Sequence, residues 1–462
     1  MHLQYKTFLE KAESKAFDLK HRATLKYNIS KYDQAVERCK LRYSNFELAK
    51  QRVAFFKTDA INNLDNLLLT FEKNITKRGA EVLWATTHHE AINLIKNIIQ
   101  ETHPKLVVKS KSMVTEEIEL NQFLESQNIE VLETDLGEFI VQVAGEKPYH
   151  LLTPAMHKSK ADVSQLFEEK FKTPTNSSPE FVADWVRTFL REKFIAADIG
   201  ITGANFLVAD TGAISITENE GNGVLSMSMP KIHIAIVGIE KIIPTFNDLS
   251  KTLPLLAAQG TGQQISAYNT IIFGPRQEGE NFGPEKLYII LLDNGRTEVL
   301  EDDELWQSLT CVRCGACLNV CPVYKNIGGH SYNAVYSGPI GSVISQVFNG
   351  MDKFYHLSYA CSLCGKCTEI CTSKIPLHKM LLEIRRQAVA KGFTPFIEKQ
   401  MMKNLKRALL RRSLFDIGFS GLRNFIANKF GSKAWGKNRT FPTIEKSFSK
   451  QFIENSKNIN KI

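Results

Sequence analysis

Eight of the chain's nine cysteines fall between Cys311 and Cys371, in two runs of one spacing. The run CVRCGACLNVCP sets Cys311, Cys314, Cys317 and Cys321 at gaps of two, two and three residues and closes on Pro322. The run CSLCGKCTEIC repeats those gaps at Cys361, Cys364, Cys367 and Cys371, with Thr372 in place of the proline. This is the C-x2-C-x2-C-x3-C-P pattern of bacterial ferredoxins. Three thiolates at two-residue gaps let one tight loop hold three irons of a cubane, and a fourth ligand must come from elsewhere. In two-cluster ferredoxins it comes from the other run. The spacing therefore predicts one 4Fe-4S cluster on Cys311, Cys314, Cys317 and Cys371, and a second on Cys321, Cys361, Cys364 and Cys367. Gly315 and Gly365 fall inside the loops, where a side chain would crowd the cluster. Zinc is the competing reading, but structural zinc uses two separated C-x2-C pairs and has no place for the third cysteine of each run. A cluster can also keep only three protein thiolates, and Cys361 is then the dispensable one. Disulfides are opposed by a reducing compartment. Cys39 stands alone in a helical pattern and reads as a small buried hydrophobe.

The 462 residues, 43% apolar or aromatic, suffice for two or three domains. No charge-poor run approaches the ~20 residues that span a bilayer, and the opening MHLQYKTFLEKAESKAFDLK alternates charged with apolar residues, so the default address is the cytoplasm. Residues 1–75 carry apolar residues at helical spacing and predict two or three helices. Residues 76–300 predict an α/β domain: AEVLWAT, HEAINLIKNIIQET and KLVVKS read as a βαβ unit, and TEEIELNQFLESQN with IEVLETD repeats helix then strand. Such alternation implies a parallel sheet flanked by helices. KIHIAIVGIEKII reads as a buried strand leading to a helix, and KLYIILLDNGRTEVL as a hairpin turning at Asp293, Asn294 and Gly295. Asp302 and Asp303 suit the N-terminus of a helix delivering Cys311. Residues 301–392 then form an α-helical, cysteine-rich domain, and 393–462 an amphipathic basic tail. From Met401 to Thr440 ten Lys or Arg face one acid, Asp416, within a chain of net charge +9. Such a tail is a solvated helix face, or a docking surface for an acidic partner or membrane headgroups; no nucleic-acid fingerprint accompanies it.

The string FLVADTGAIS raises one further question, since Asp-Thr-Gly after apolar residues resembles an aspartic protease signature. That chemistry needs a second carboxylate sharing the proton. The chain has one such motif, set after α/β alternation, and the plain reading is strand, turn from Asp210 to Gly212, strand.

The stretch GITGANFLVADTGAISITENEGNG, with GGHSY and YSGPIG between the cysteine runs, resembles the lactate utilization protein B family from about residue 75 to 392. The resemblance implies a NagB/CoA-transferase-like lactate utilization domain of α/β class, followed by an α-helical two-cluster ferredoxin domain. It implies an oxidoreductase component in the oxidation of L-lactate to pyruvate, with sister proteins as partners and an electron acceptor. The family string falls on Thr202, Gly203, Ala204, Asn205, Asp210, Thr211, Gly212, Glu218, Asn219, Glu220, Gly221 and Asn222. Asn205, Asp210 and Glu218 are the catalytic candidates, because polar groups near strand ends of an α/β sheet are where small anions or cofactors bind. A solvated turn is the bland alternative. No G-x-G-x-x-G follows a strand, so a nicotinamide or flavin site of Rossmann type is not expected. Substrate chemistry then lies in a sister subunit or in the α/β domain.

Overall fold

The computed structural model describes residues 3–411, 420–426, 428–429 and 442–459. The chain divides into two units, Met1–Ala388 and Val389–Ile462. The first opens with four helices, one more than the periodicity suggests: α1 (Leu3–Phe17), α2 (Leu19–Lys40), α3 (Phe46–Asn62) and α4 (Leu64–Thr76). The extra breaks have local causes. Asp18 accepts a hydrogen bond from the His21 amide and Asn45 from the Leu48 amide, each satisfying an orphan donor of a new helix.

Ten strands follow: β1 (Glu81–Ala85), β2 (Leu106–Lys109), β3 (Glu130–Glu133), β4 (Ile199–Thr202), β5 (Phe206–Val208), β6 (Ala213–Glu218), β7 (Ile232–Gly238), β8 (Ile242–Ile243), β9 (Tyr268–Ile272) and β10 (Lys286–Leu292). Six make a wholly parallel sheet in the order β1-β10-β7-β4-β2-β3, which is the α/β class expected. β2, its following helices and β3 form a neighbouring βαβ pair, whereas β1 and β2 are separated by β10, β7 and β4. The apolar helix after β1 covers one sheet face through Ala91, Ile95 and Ile98, and α4 covers the other through Leu68, Phe71 and Ile75. Both faces buried explains why β7 and β10 read as continuous apolar runs. A smaller mixed sheet, β8-β5-β6-β9, is appended.

Two expectations for strand ends fail for identifiable reasons. After β7 the chain makes a single 3-10 turn, Ile239–Lys241, and crosses to the second sheet as β8 instead of continuing into a helix. After β10, Asn294 and Gly295 take positive φ angles of 46° and 86° as a hairpin turn requires. The Asp293 carboxylate, however, accepts hydrogen bonds from the amide and hydroxyl of Thr297 and starts the helix Arg296–Leu300. Likewise Asp302 accepts the amides of Glu304 and Leu305, but the segment it opens is a 3-10 turn, Trp306–Thr310.

The cysteine-bearing region is helical. Its core of Leu318, Tyr324, Tyr332, Ile340, Leu357 and Met380 is shared with Phe8, Leu25 and Ile29 of α1 and α2. The N-terminal helices therefore pack on both the sheet and the cysteine region. In the second unit the helix Phe396–Leu410 buries no residue, and Phe396, Ile397, Met401 and Leu409 are exposed between its basic residues. Of the basic stretch identified in the sequence, 412–419, 427, 430–441 and 460–462 lie outside the described residues. Among the described residues no helix is long and apolar enough to cross a membrane.

Candidate cluster loops and an adjoining polar cavity

The two cysteine runs adopt one backbone shape. Arg313 and Gly315 in the first take φ angles of 58° and 72°, and Leu363 and Gly365 in the second take 56° and 78°. Each glycine opens a one-turn helix, Ala316–Val320 or Lys366–Ile370. Gly365 is needed for the left-handed backbone alone, since a Cβ there would meet nothing within 4 Å, whereas one on Gly315 would also press on His150 and Leu152 at 3.3 Å. The shared turn aims backbone donors at sulfur: the Arg313 amide lies 3.4 Å from Cys311 Sγ and the Leu363 amide 3.2 Å from Cys361 Sγ. Thr372, the departure from the proline pattern, is buried with its hydroxyl 3.2 Å from Cys314 Sγ.

Electrostatics sort the eight thiols into two groups. Burial pushes the Cys371 thiol up to about 12, and the neighbouring Cys311 and Cys314 add to the rise. Cys317 is likewise raised by burial, then by Cys311 and Cys314. Burial lifts Cys367 to about 11, with Cys361 and Cys321 contributing, and Cys321 is raised by burial and then by Cys361 and Cys364. Buried thiols gathered beside others that would repel them once ionised need a multiply charged centre to ionise together. A cubane cluster fits that donor set. Each group has two buried thiols, Cys314 and Cys317 in one and Cys321 and Cys367 in the other, and they differ at Cys364, which is exposed.

Beside the first loop lies a polar cavity of about 390 Å³, where the chain leaves the carboxyl ends of β2, β3, β4 and β7. Lys111, Lys241 and Arg313 line it. Lys241 is 8% exposed, and burial pushes its ammonium down to about 8, with Arg313 adding to the fall. Arg313 is fixed by Glu240 at 3.4 Å and stacks over the Tyr336 ring at 4.9 Å. Behind it, the wholly buried Arg296 pairs with Glu117 at 2.9 Å and Glu240 at 2.5 Å, while Tyr336 donates to Glu117. Burial raises the Glu240 carboxyl, but Arg296, Arg313 and Lys241 outweigh it and hold the group at about 2. The network ties the sheet's strand ends to the first cysteine loop.

The family model described as LUD domain matches residues 68–292, and that described as 4Fe-4S dicluster domain matches 307–375. Lactate utilization protein B of Bacillus cytotoxicus is 42% identical over 414 residues, 87% of each chain. That of Bacillus subtilis is 42% identical over 399 residues, covering 84% of this chain and 83% of the relative. The chain belongs to the lactate utilization protein B family. With the dicluster domain it carries two 4Fe-4S clusters. A crystal structure of a DUF162 family protein from Deinococcus radiodurans aligns at 14% identity over 50% of this chain and 98% of that one, with a TM-score of 0.28.

The family string is split by the fold. Asn205 and Glu218 line the cavity, as do Gly203, Asn219, Glu220 and Asn222. Asn205 Oδ1 accepts from the Thr217 amide, and the Glu218 carboxylate accepts from the amides of Gly223 and Val224, opening the helix Asn222–Ser228. Burial pushes Glu220 up to about 7, with Asp135 adding to the rise. Asp210 sits elsewhere: its carboxylate accepts from the Phe246 amide at the start of the helix Phe246–Gly260, and it does not line the cavity. Gly212 turns at φ 63° between β5 and β6, its Cα pressed against α4, which makes the protease-like string a structural turn. Thr202 bonds His233 at 2.8 Å under the sheet. Between the runs, Tyr324, Tyr332 and Tyr336 are buried, and His330 bonds the Lys147 carbonyl. Sequence reading missed Lys111, Lys241 and Arg313. Only Arg313 carried a signal, as a cation between Cys311 and Cys314 of the first run.

Proposed function

We propose that this chain is the electron-transfer subunit of a cytoplasmic complex that oxidises L-lactate to pyruvate alongside sister lactate utilization proteins. The observation carrying this reading is the exposure of Cys364 in one thiol group, where the other has no exposed member. We assign Cys311, Cys314, Cys317 and Cys371 to an inner cluster and Cys321, Cys361, Cys364 and Cys367 to an outer one. When bound, each cluster takes up and returns one electron, so a two-electron oxidation leaves in single steps. The chain's own residues serve that passage. Amides of Arg313 and Leu363 and the Thr372 hydroxyl point at ligand sulfur, which favours the more negative, reduced state. Burial of Cys314 and Cys317 keeps water from the inner site, and exposed Cys364 offers an edge to an outside carrier. The names of relatives 42% identical over most of the chain support lactate as the source of the electrons. The helix Phe396–Leu410, apolar and basic on an open surface, is the proposed docking element for a partner or the membrane surface.

The test is lactate-dependent reduction of anaerobically purified protein, with and without its sister proteins. Cluster bleaching only in their presence is the expected result. Turnover by this chain alone with an artificial acceptor would instead favour a second reading, that it is itself the hydroxy-acid oxidoreductase, which the cationic cavity makes specific.

A further inference from the structure

The cavity beside the inner cysteine loop is lined by three cations, Lys111, Lys241 and Arg313, and three carboxylates, Asp135, Glu218 and Glu220, and the cations keep hydrogen-bond donors that the protein leaves unfilled. Among the described residues Lys241, more than nine-tenths buried, makes no hydrogen bond or ion pair. Arg313 Nη1 is buried without a partner, although Nη2 reaches Glu240. Lys111 Nζ is buried without a hydrogen bond, its nearest carboxylate being Glu138 at 3.9 Å. An unpaired buried cation is costly, because it loses hydration without gaining a counter-charge. Arg313 is paired with Glu240 and Lys111 lies 3.9 Å from Glu138, yet each keeps a buried donor without a hydrogen bond beside the cavity that Lys241 also lines, and an anion would fill those donors.

The acids that line the cavity accept from backbone amides and make no hydrogen bond to these three cations. Glu218 holds two backbone amides and Glu220 accepts from the Leu136 amide. Placement adds to the case. Ligands of open α/β sheets bind outside the carboxyl ends of the strands, and this cavity lies there, bounded on its far side by Arg313 between two ligand cysteines.

We propose that this cavity binds a small 2-hydroxy or 2-oxo monocarboxylate, its carboxylate seated among Lys241, Arg313 and Lys111. A planar guanidinium presents paired donors to a carboxylate, and the two ammonium groups complete the charge. The choice of acid rests on the lactate reading above, whereas the anion site rests on the unfilled donors of these cations. The volume of about 390 Å³ exceeds what the carboxylate end alone occupies, so acids of increasing chain length report how much of it the ligand fills.

The experiment is equilibrium dialysis of radiolabelled L-lactate and pyruvate against full-length protein purified anaerobically with its clusters. Competitors are longer 2-hydroxy acids, acetate, inorganic phosphate and free flavin. The expected result is saturable binding of one 2-hydroxy or 2-oxo acid per chain, weakened at least tenfold by Lys241→Gln and by Lys111→Met and unchanged by Lys20→Gln at an exposed pair. Iron content and the electron paramagnetic resonance signal of each variant separate loss of the site from loss of the clusters. If Lys241→Gln does not fold, Lys111→Met carries the comparison. Absence of saturable binding, binding indifferent to both lysines, or preferential occupation by phosphate or flavin overturns the proposal. Redox-active clusters with no ligand binding would leave the electron-transfer reading standing alone, and ligand binding with inert clusters would do the reverse.

Discussion

Replacing Arg296 with methionine removes the central cation of the network that joins the sheet to the inner cysteine loop. The side chain is 0% exposed and its carboxylate partners Glu117 and Glu240 are 3% and 1% exposed, so both acids would be left buried. The cost can be worked in two ways. Removing one partner of a buried pair costs about 3–5 kcal/mol. At Glu240, Arg296, Arg313 and Lys241 together hold the carboxyl at about 2 against an ordinary 4.5, a difference worth about 3 kcal/mol at about 1.4 kcal/mol per pH unit, which is the ceiling on Arg296's share there. Because the folded value is depressed, this stability is present above pH 4.5 and is lost as pH falls from 4.5 towards 2. Arg296→Met should therefore lower unfolding free energy by about 3–5 kcal/mol at pH 7, with the gap to the parent narrowing below about pH 4. Urea unfolding under argon, followed by circular dichroism at pH 7 and pH 3, measures both. A loss under about 1 kcal/mol, or a gap that does not change with pH, would refute the reasoning.

Further outcomes follow from the cysteine loops. Thr372→Val removes the hydroxyl from Cys314 Sγ and should lower the midpoint potential of one cluster by about 40 mV, the one-electron equivalent of about 1 kcal/mol, as read by redox titration. Gly365→Ala meets no neighbour but keeps φ at 78°, so it should cost about 1–2 kcal/mol of local backbone strain and reduce retained iron, which iron analysis after gel filtration reports. In cluster-free protein, iodoacetamide should label exposed Cys364 well before buried Cys314 and Cys317, a sequence that peptide mass spectrometry resolves.

The cysteine runs were legible because metal-ligand spacing is a local code: four thiols on one tight loop announce themselves without tertiary information. The parallel sheet was legible for a similar reason, since strand and helix periods alternate along the chain. The failures are places where one side chain diverts a local signal. Asp293 captured Thr297 and turned a hairpin sequence into a helix start. The cavity was half legible: Asn205 and Glu218 were found through a glycine-rich string, but Asp210 belongs to a turn held by the Phe246 amide. Lys241 sits in an apolar run, VGIEKII, where nothing marks it as the cation left without a partner. Its role depends on which strand ends meet, and the order β1-β10-β7-β4-β2-β3 is not written in any one segment.

The measurement that bears most directly on the central claim is an anaerobic redox titration of the full-length protein followed by electron paramagnetic resonance. Two separate one-electron midpoints within the physiological range, both populated when lactate and the sister proteins are added, are the predicted result. Clusters that stay oxidised across that range, or a single centre, would contradict the account.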